Sequence, residues 1–343
     1  MSKETLNWLN NNTLIGFTDK RGHAWHHRAG SDNHYAGPIP IEDVERRLFS
    51  WTAEERPLCV ELETGNPDLI AAGLVEPEVT MVPVPGRKAI VRSDTGLVMG
   101  IFKDGYVPHQ PTPWLLRNVA NILDDDELAI GSAGLLKGGA QAWVSVEIPD
   151  TITTPEGVVF RPNLMAATSF DGSLATIYKP IITNVVCDNT MNAGLREEGQ
   201  QFKVKHSSKS MGRITEAREA LAIVHAVGDE FSAAVSELCA QHLSDREFER
   251  LVREHLAPVE DNDSAAKKTN ARKKRGELLR MWRHDERAAE WRGTKFGAYQ
   301  AVNTWQQHES TTRGIRAERN MGHTLTGKWE TADDQTLSML AAL

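Results

Sequence analysis

The sequence predicts an α+β fold, a central antiparallel or mixed β-sheet followed by a helical C-terminal half. Two observations carry this. Between about residues 79 and 186, apolar residues alternate at period two in short runs separated by short turns; after about residue 207 they recur at helical spacing. Such turns leave no room for the crossover helices that parallel strands need, so a series of βαβ units is not expected. The 343 residues suffice for one or two domains with a core that needs no covalent staples. The expected organisation is a loop-rich N-terminal segment (1–78), an α+β core (79–258), a basic linker (259–274) and a helical C-terminal region (275–343).

In the N-terminal segment one helical stretch stands out, Ile41 to Phe49, with Ile41, Val44 and Leu48 on one face. Val79 to Val84 is the first strand of the core. Lys88 to Arg92 and Leu97 to Phe102 flank Ser93-Asp94-Thr95-Gly96, a hairpin signal with Gly96 free to take positive φ. Pro113 opens a helix over Trp114 to Leu123, since proline is tolerated in a first turn. Ala140 to Ile148 alternates, placing Ala142, Val144, Val146 and Ile148 on one face. Val158 to Phe160, Leu164 to Phe170, Leu174 to Tyr178 and Ile181 to Val186 complete the β-rich block, with a turn at Phe170-Asp171-Gly172-Ser173.

In the helical half, Ile214, Ala217, Leu221 and Val224 share a face, and Phe231, Val235 and Leu238 begin a second helix. Ser244 and Glu247 form a capping box before Phe248, Leu251, Val252 and Leu256, and Pro258 stops that helix. Residues 259–271 are polar and read as a mobile linker. Further helices are expected over 275–292 and 296–309, and Thr331-Ala332-Asp333-Asp334 caps a last one.

A chain with 40% hydrophobic and 25% charged residues is neither disordered throughout nor collagen-like. No apolar run reaches the ~20 residues of a membrane span, and the polar stretch Met1 to Asn12 does not read as a secretory signal. Cys59, Cys187 and Cys239 lie far apart, as suits buried thiols in a reducing cytoplasm. Cytoplasmic localisation without membrane attachment is therefore expected. The net charge of −8 conceals a basic segment. Residues 267–319 hold 14 Lys/Arg and 6 Asp/Glu, a local +8, leaving −16 for the rest. A basic stripe on an acidic body attracts polyanions locally, although a charge run also serves as a plain solvated face.

Four histidines, His23, His26, His27 and His34, cluster near the N-terminus, but no carboxylate or thiol beside them completes a ligand set. The acidic run Asp124 to Glu127 reads as a solvated helix end. Lys137-Gly138-Gly139 is half of a phosphate loop and lacks the rest of the G-x-x-x-x-G-K-[ST] pattern. No nucleophile elbow, H-E-x-x-H or C-x-x-C occurs, so the chain reads as a non-enzymatic protein without cofactor or metal. Asn184 to Met191 reads as a corner in which Asp188, Asn189 and Thr190 bond local backbone.

Phe202 to Lys209, with Arg213 behind, is the best polyanion candidate in the body. Lys203 and Lys205 share a face on a strand; Lys209 and Arg213 share one on a helix that begins near Ser207. Lys179 joins this group. The tail adds Lys267-Lys268, Arg272-Lys273-Lys274-Arg275, Arg280, Arg283, Arg287 and Arg292, interleaved with Trp282 and Trp291. Arginines with aromatics hold phosphates and stack bases, and tryptophans also bury.

Several segments together resemble a family. They are Ala24-Trp25-His26, the hairpin from Arg87 to Gly100, Leu136-Lys137-Gly138-Gly139 and Phe170-Asp171-Gly172-Ser173. They continue with Val185-Val186-Cys187-Asp188-Asn189-Thr190, Lys205-His206-Ser207, and Gly293 to Asn303 with His308. In this order they resemble phage/plasmid-like proteins carrying the domain of unknown function numbered 932. Tyr299-Gln300 stands where that family's leucine-asparagine is expected, and His27-Arg28 replaces a small-residue turn. The resemblance implies a phage, prophage or plasmid origin and assigns no catalytic residue. The order of elements, a β-rich core leading to a long helix, is also similar to phage single-strand annealing proteins, which form rings and bind single-stranded DNA along a basic groove.

The expected function is single-stranded DNA binding by a homo-oligomeric annealing or recombination factor, with Lys179, Lys203, Lys205, Lys209, Arg213, Lys273, Lys274 and Arg275 on phosphates. The alternative is a non-enzymatic interaction module with a host or phage protein as partner.

Overall fold

A computed structural model of the protein describes residues 11–21, 30–65, 67–74, 76, 78–123, 128–148, 150–184, 190–192, 202–204 and 217–343. The strands are β1 (Thr13–Ile15), β2 (Ala53–Thr64), β3 (Glu78–Arg92), β4 (Val98–Lys103), β5 (Ala129–Leu136), β6 (Gln141–Glu147), β7 (Ile152–Thr153), β8 (Val159–Ser169), β9 (Thr176–Asn184), β10 (Thr190–Asn192) and β11 (Phe202–Val204). The main helices are α1 (Ile41–Val44, continued by a π-turn to Phe49), α2 (Pro111–Asn118), α3 (Ala217–Ala240), α4 (Asp245–Leu251), α5 (Ala265–His284), α6 (Lys295–Thr304), α7 (Arg316–Thr326) and α8 (Lys328–Ala341). The architecture is α+β, with antiparallel sheets in the N-terminal half and helices in the C-terminal half.

The main sheet runs β1-β5-β6-β8-β9-β10, with β7 beside β8 and β11 beside β9. Its centre is a meander whose strands are longer than expected. Val158–Phe160 and Leu164–Phe170 belong to one strand, and so do Leu174–Tyr178 and Ile181–Asn184. Both contain a proline, which reads as a break because it lacks a donor. In β8, Pro162 falls in the gap where β6 ends at Glu147↔Asn163 and β7 begins at Ile152↔Phe160. In β9, Pro180 falls between the partners of β11 and β10, which end at Tyr178 and begin at Ile181. On that edge no described strand is paired with either proline, so there the strand continues without a donor. The 170–173 turn forms as expected, with the Asp171 carboxylate accepting the Ser173 N–H at 2.9 Å.

Both faces of the meander are buried. Ala142, Val144, Val146, Leu164, Ala166 and Tyr178 lie under Phe49, Trp114 and Leu115, and Ile148 packs with them as the alternation predicts. The opposite face presents Trp143, Met165, Ala167, Ile177 and Ile181 to Leu325 of α7.

A second core joins Phe160 and Ile182 to the helical half, through Phe231 of α3, Phe248 of α4, Met281 and Trp282 of α5, Tyr299 of α6 and Leu340 of α8. The C-terminal helices therefore share their core with α3 and α4. The two helices expected within 214–240 are the single helix α3, from Ala217. Gly228 lies inside it against Ile152 and Pro162, where a Cβ would come within 3.1 Å of Ile152. The capping box forms, with both the Ser244 side chain and the Glu247 carboxylate satisfying free N–H groups.

The expected linker is corrected. From Ala265 it is helix α5, started by Ser264, whose hydroxyl accepts the Lys267 N–H. The Asp263–Lys267 pair at 2.6 Å supports the first turn. Polar composition resembles a linker, but Lys, Arg and Ala are strong helix formers. Helix α7 has no counterpart in the sequence reading, and the final helix begins at Lys328, ahead of Thr331.

The N-terminal segment is corrected too. Its β1 edges the main sheet, and its β2 is a 12-residue strand of a second sheet, β2-β3-β4. Four glutamates in Ala53–Thr64 hid that strand, because Glu is depleted in strands and pairing with distant residues overrides local preference. Where this sheet meets the main one, Arg92 holds it. Its guanidinium donates to the Gly138 carbonyl at 2.8 Å, pairs with Asp94 and lies 4.5 Å over the Trp51 ring. Gly139, at φ 99°, must be glycine, since a Cβ there would sit 2.2 Å from Arg92 Nη1. The Lys-Gly-Gly turn thus serves this contact.

Candidate nucleic-acid interface

Eight cations and one carboxylate, Glu277, fall on the 20 residues of α5. At 100° per residue, Ala271, Leu278, Met281 and Trp282 share the arc that enters the core. The solvent-facing arc, from Lys268 on the flank of the buried residues round to Lys273, also carries Arg272, Arg280 and Arg283; all are exposed but Arg283, which is half-buried. Fifteen residues at 1.5 Å each spread these five cations over about 22 Å.

Most have local partners. Lys268 donates to the Asp261 carbonyl (2.7 Å), Lys273 lies 3.8 Å from Glu277, Arg280 lies 3.4 Å from Glu309, and Arg283 pairs with Glu249. Exposed ion pairs contribute roughly 0–1 kcal/mol each, so an incoming polyanion displaces them at little cost. The field of a helix with seven excess positive charges persists.

The remaining expected cations fall elsewhere. Lys274 is half-buried, its Nζ 4.6 Å over the Trp305 ring, and burial pushes its ammonium below the usual lysine value. Arg275 donates to the carbonyls of Ala257 (2.9 Å) and Arg253 (3.4 Å), tying α5 to the end of the preceding helix. Lys273 alone of the three tail residues faces solvent fully. The sequence signal that finds its neighbours Lys268 and Arg272 is the i, i+4 spacing, once α5 is read from Ser264.

Lys179 is corrected. It is 3% exposed, on the covered face of β9; its ammonium is paired with Glu330 of α8 and donates to the Thr324 carbonyl of α7. Burial lowers its proton affinity and Glu330 opposes that shift. It clasps the C-terminal helices to the sheet and presents nothing to a phosphate. Beside it a polar seam continues, from Asp333 to Asn303 (3.0 Å) and from Asn303 to Gln307 (3.2 Å). The backbone of Lys203 lies in β11, opposite Ile177 of β9. Lys205, Lys209 and Arg213, like Val185 to Asn189 of the expected corner, lie outside the described residues.

The two tail tryptophans are buried, not stacking platforms. Trp282 stacks on Phe248 at 4.7 Å and donates to Asp245, while Trp291 donates to the Glu156 carbonyl. Among the described residues no three His, Cys, Asp or Glu side chains converge as a metal-binding group, and no helix is long and apolar enough to cross a membrane. His23, His26, His27 and Asp124 to Glu127 lie outside them, and His34 contacts Asn33. Cys59 and Cys239 are both half-buried, less enclosed than expected, and burial pushes the Cys239 thiol up to about 11.

Fold and surface together define an α+β protein built on a doubly covered antiparallel meander, with one cationic helix turned to solvent. Residues 98–325 match the family described as Domain of unknown function (DUF932), and the chain belongs to that family. The matched span starts at the first residue of β4 and ends in α7, so it contains the meander and α5 and leaves out β2 and β3. No curated protein and no solved structure matches the chain.

Proposed function

We propose that this protein binds single-stranded nucleic acid along the solvent arc of α5. The observation that supports this reading is the gathering of Lys268, Arg272, Lys273, Arg280 and Arg283 on one side of one helix, on a chain whose remainder is acidic. Phosphate contacts dominate such binding, so it depends steeply on salt and weakly on base sequence. Lys203, Lys205, Lys209 and Arg213 supply a second set of contacts. In the phage or plasmid setting that the family resemblance implies, the role is to anneal or protect strands during replication or recombination, in the cytoplasm and without catalytic activity of its own.

The test is anisotropy of a labelled single-stranded oligonucleotide across a salt series. Each phosphate contact contributes roughly 0.7 to the slope of log affinity against log salt, so Arg272→Ala with Lys273→Ala flattens it by about 1.4. Absence of binding at low salt from folded protein overturns the reading; an unchanged slope removes α5 from it.

A second reading has its own observation. The distal part of β2 and β3 exposes apolar side chains, which favours a protein-interaction module.

A further inference from the structure

Beyond Arg87 the β2–β3 pair leaves its third strand behind, because β4 pairs only with Arg87 to Val91. What continues is a two-stranded ribbon with no extensive packing against any other described element. Both of its faces are in solvent. Val60 pairs with Val82 on one face; on the other, Glu61 pairs with Met81 and Glu63 with Val79. These apolar residues are 36–56% exposed. A bare two-stranded ribbon is marginal in water, and contiguous exposed apolar side chains mark an interaction surface. Strand addition at the edges is disfavoured, since Pro57, Pro83 and Pro85 interrupt the donors, so the faces are the docking elements.

Charge identifies the occupant. Residues 57–86 carry five carboxylates and no lysine or arginine. Helix α5 carries eight cations against one carboxylate, five of them on its solvent arc. The Glu61/Met81/Glu63/Val79 face matches that arc in kind as well as sign. Lysine and arginine stems lie along apolar side chains while their heads reach carboxylates. We propose that this arm docks on the α5 helix of a second copy of the chain. The inference deepens the interaction-module reading and rests on it. The contact joins two different surfaces, so it is heterologous and propagates head to tail into a closed ring or a filament. Nucleic acid and the arm then compete for α5.

Charge exchange tests this, with light scattering over a concentration series in the absence of nucleic acid. The wild type is expected to associate. E61K/E63K on the arm and R272E/K273E on the helix are each expected to fall to the mass of a single chain. Mixed one to one, they are expected to reassociate, because each then finds an opposite surface on the other. All four positions lie at the surface, so unchanged far-ultraviolet circular dichroism is expected of both variants. A monomeric wild type, arm variants that associate like the wild type, or a mixture that stays monomeric overturns the proposal. Oligonucleotide binding by E61K/E63K reports on α5 separately, so the two proposals can fail independently.

Discussion

The central meander and the distal arm are both antiparallel β-structure from one chain, and they end in opposite conditions. In the meander each strand face is covered, by α1 and α2 on one side and by α7 on the other. In the arm neither face is covered. Local strand propensity does not separate them, since Val, Leu, Met and Thr occur in both. What separates them is whether another element arrives to bury the alternate side chains. A buried strand contributes to stability, whereas a bare strand leaves its apolar side chains in water.

Truncation breaks this comparison most directly. Phe160 is fully buried, 4.6 Å from the Phe231 ring centroid, and Phe160→Ala is expected to cost about 3–5 kcal/mol in denaturant unfolding. Met81→Ala on the arm is expected to change stability of dilute protein by less than about 0.5 kcal/mol. Equal losses would show that the arm is already buried in the single chain.

The buried clasp sharpens the comparison. Lys179→Met leaves the Glu330 carboxylate and the Thr324 carbonyl without their cation, and a loss of about 3 kcal/mol is expected. Removing an arm charge, Glu61→Gln, is expected to be silent in the same assay. A silent Lys179→Met would mean that the C-terminal helices do not depend on this pair.

The smallest effect is a pH dependence confined to the covered region. His323 of α7 packs edge-on against Trp329, and burial together with Lys328 and Arg319 lowers its affinity for a proton below the free value of 6.5. The unfolded chain therefore binds that proton more readily. The contribution is complete above pH 6.5 and is lost as pH falls through the lower folded value. His323→Gln is expected to lessen the decline of melting temperature between pH 6.5 and about 5.0, relative to wild type. An identical decline in the two proteins would show that other groups carry it.

Much of the fold was legible where a rule is local. The 93–96 and 170–173 turns, the Ser244–Glu247 box and the shared face of Ala142, Val144 and Val146 follow from turn chemistry, capping and period two. The failures came where a distant element decides. Pro162 and Pro180 read as strand ends because the gaps between their partner strands cannot be seen locally. The stretch up to residue 274 read as a linker because the part of α5 within it buries Ala271 alone, and the apolar residues Leu278, Met281 and Trp282 come only later in the helix. The candidate site divided in the same way. Abundance of cations in 267–319 was visible in the chain; which of them face water was not.

By itself the sequence determined the α+β class, the turns, the capped helix start at Ser244 and the basic segment on an acidic body, because each depends on residues within a few positions of one another. Only the tertiary structure decided that Lys179 is a buried clasp, that Trp282 and Trp291 belong to the core, and that Lys268, Arg272 and Lys273 share an open arc. It also decided that β2 and β3 extend beyond their sheet with both faces bare. Each of these depends on which side chains lose water when distant elements meet. Burial is a property of that meeting, and a residue's neighbours along the chain do not encode it alone.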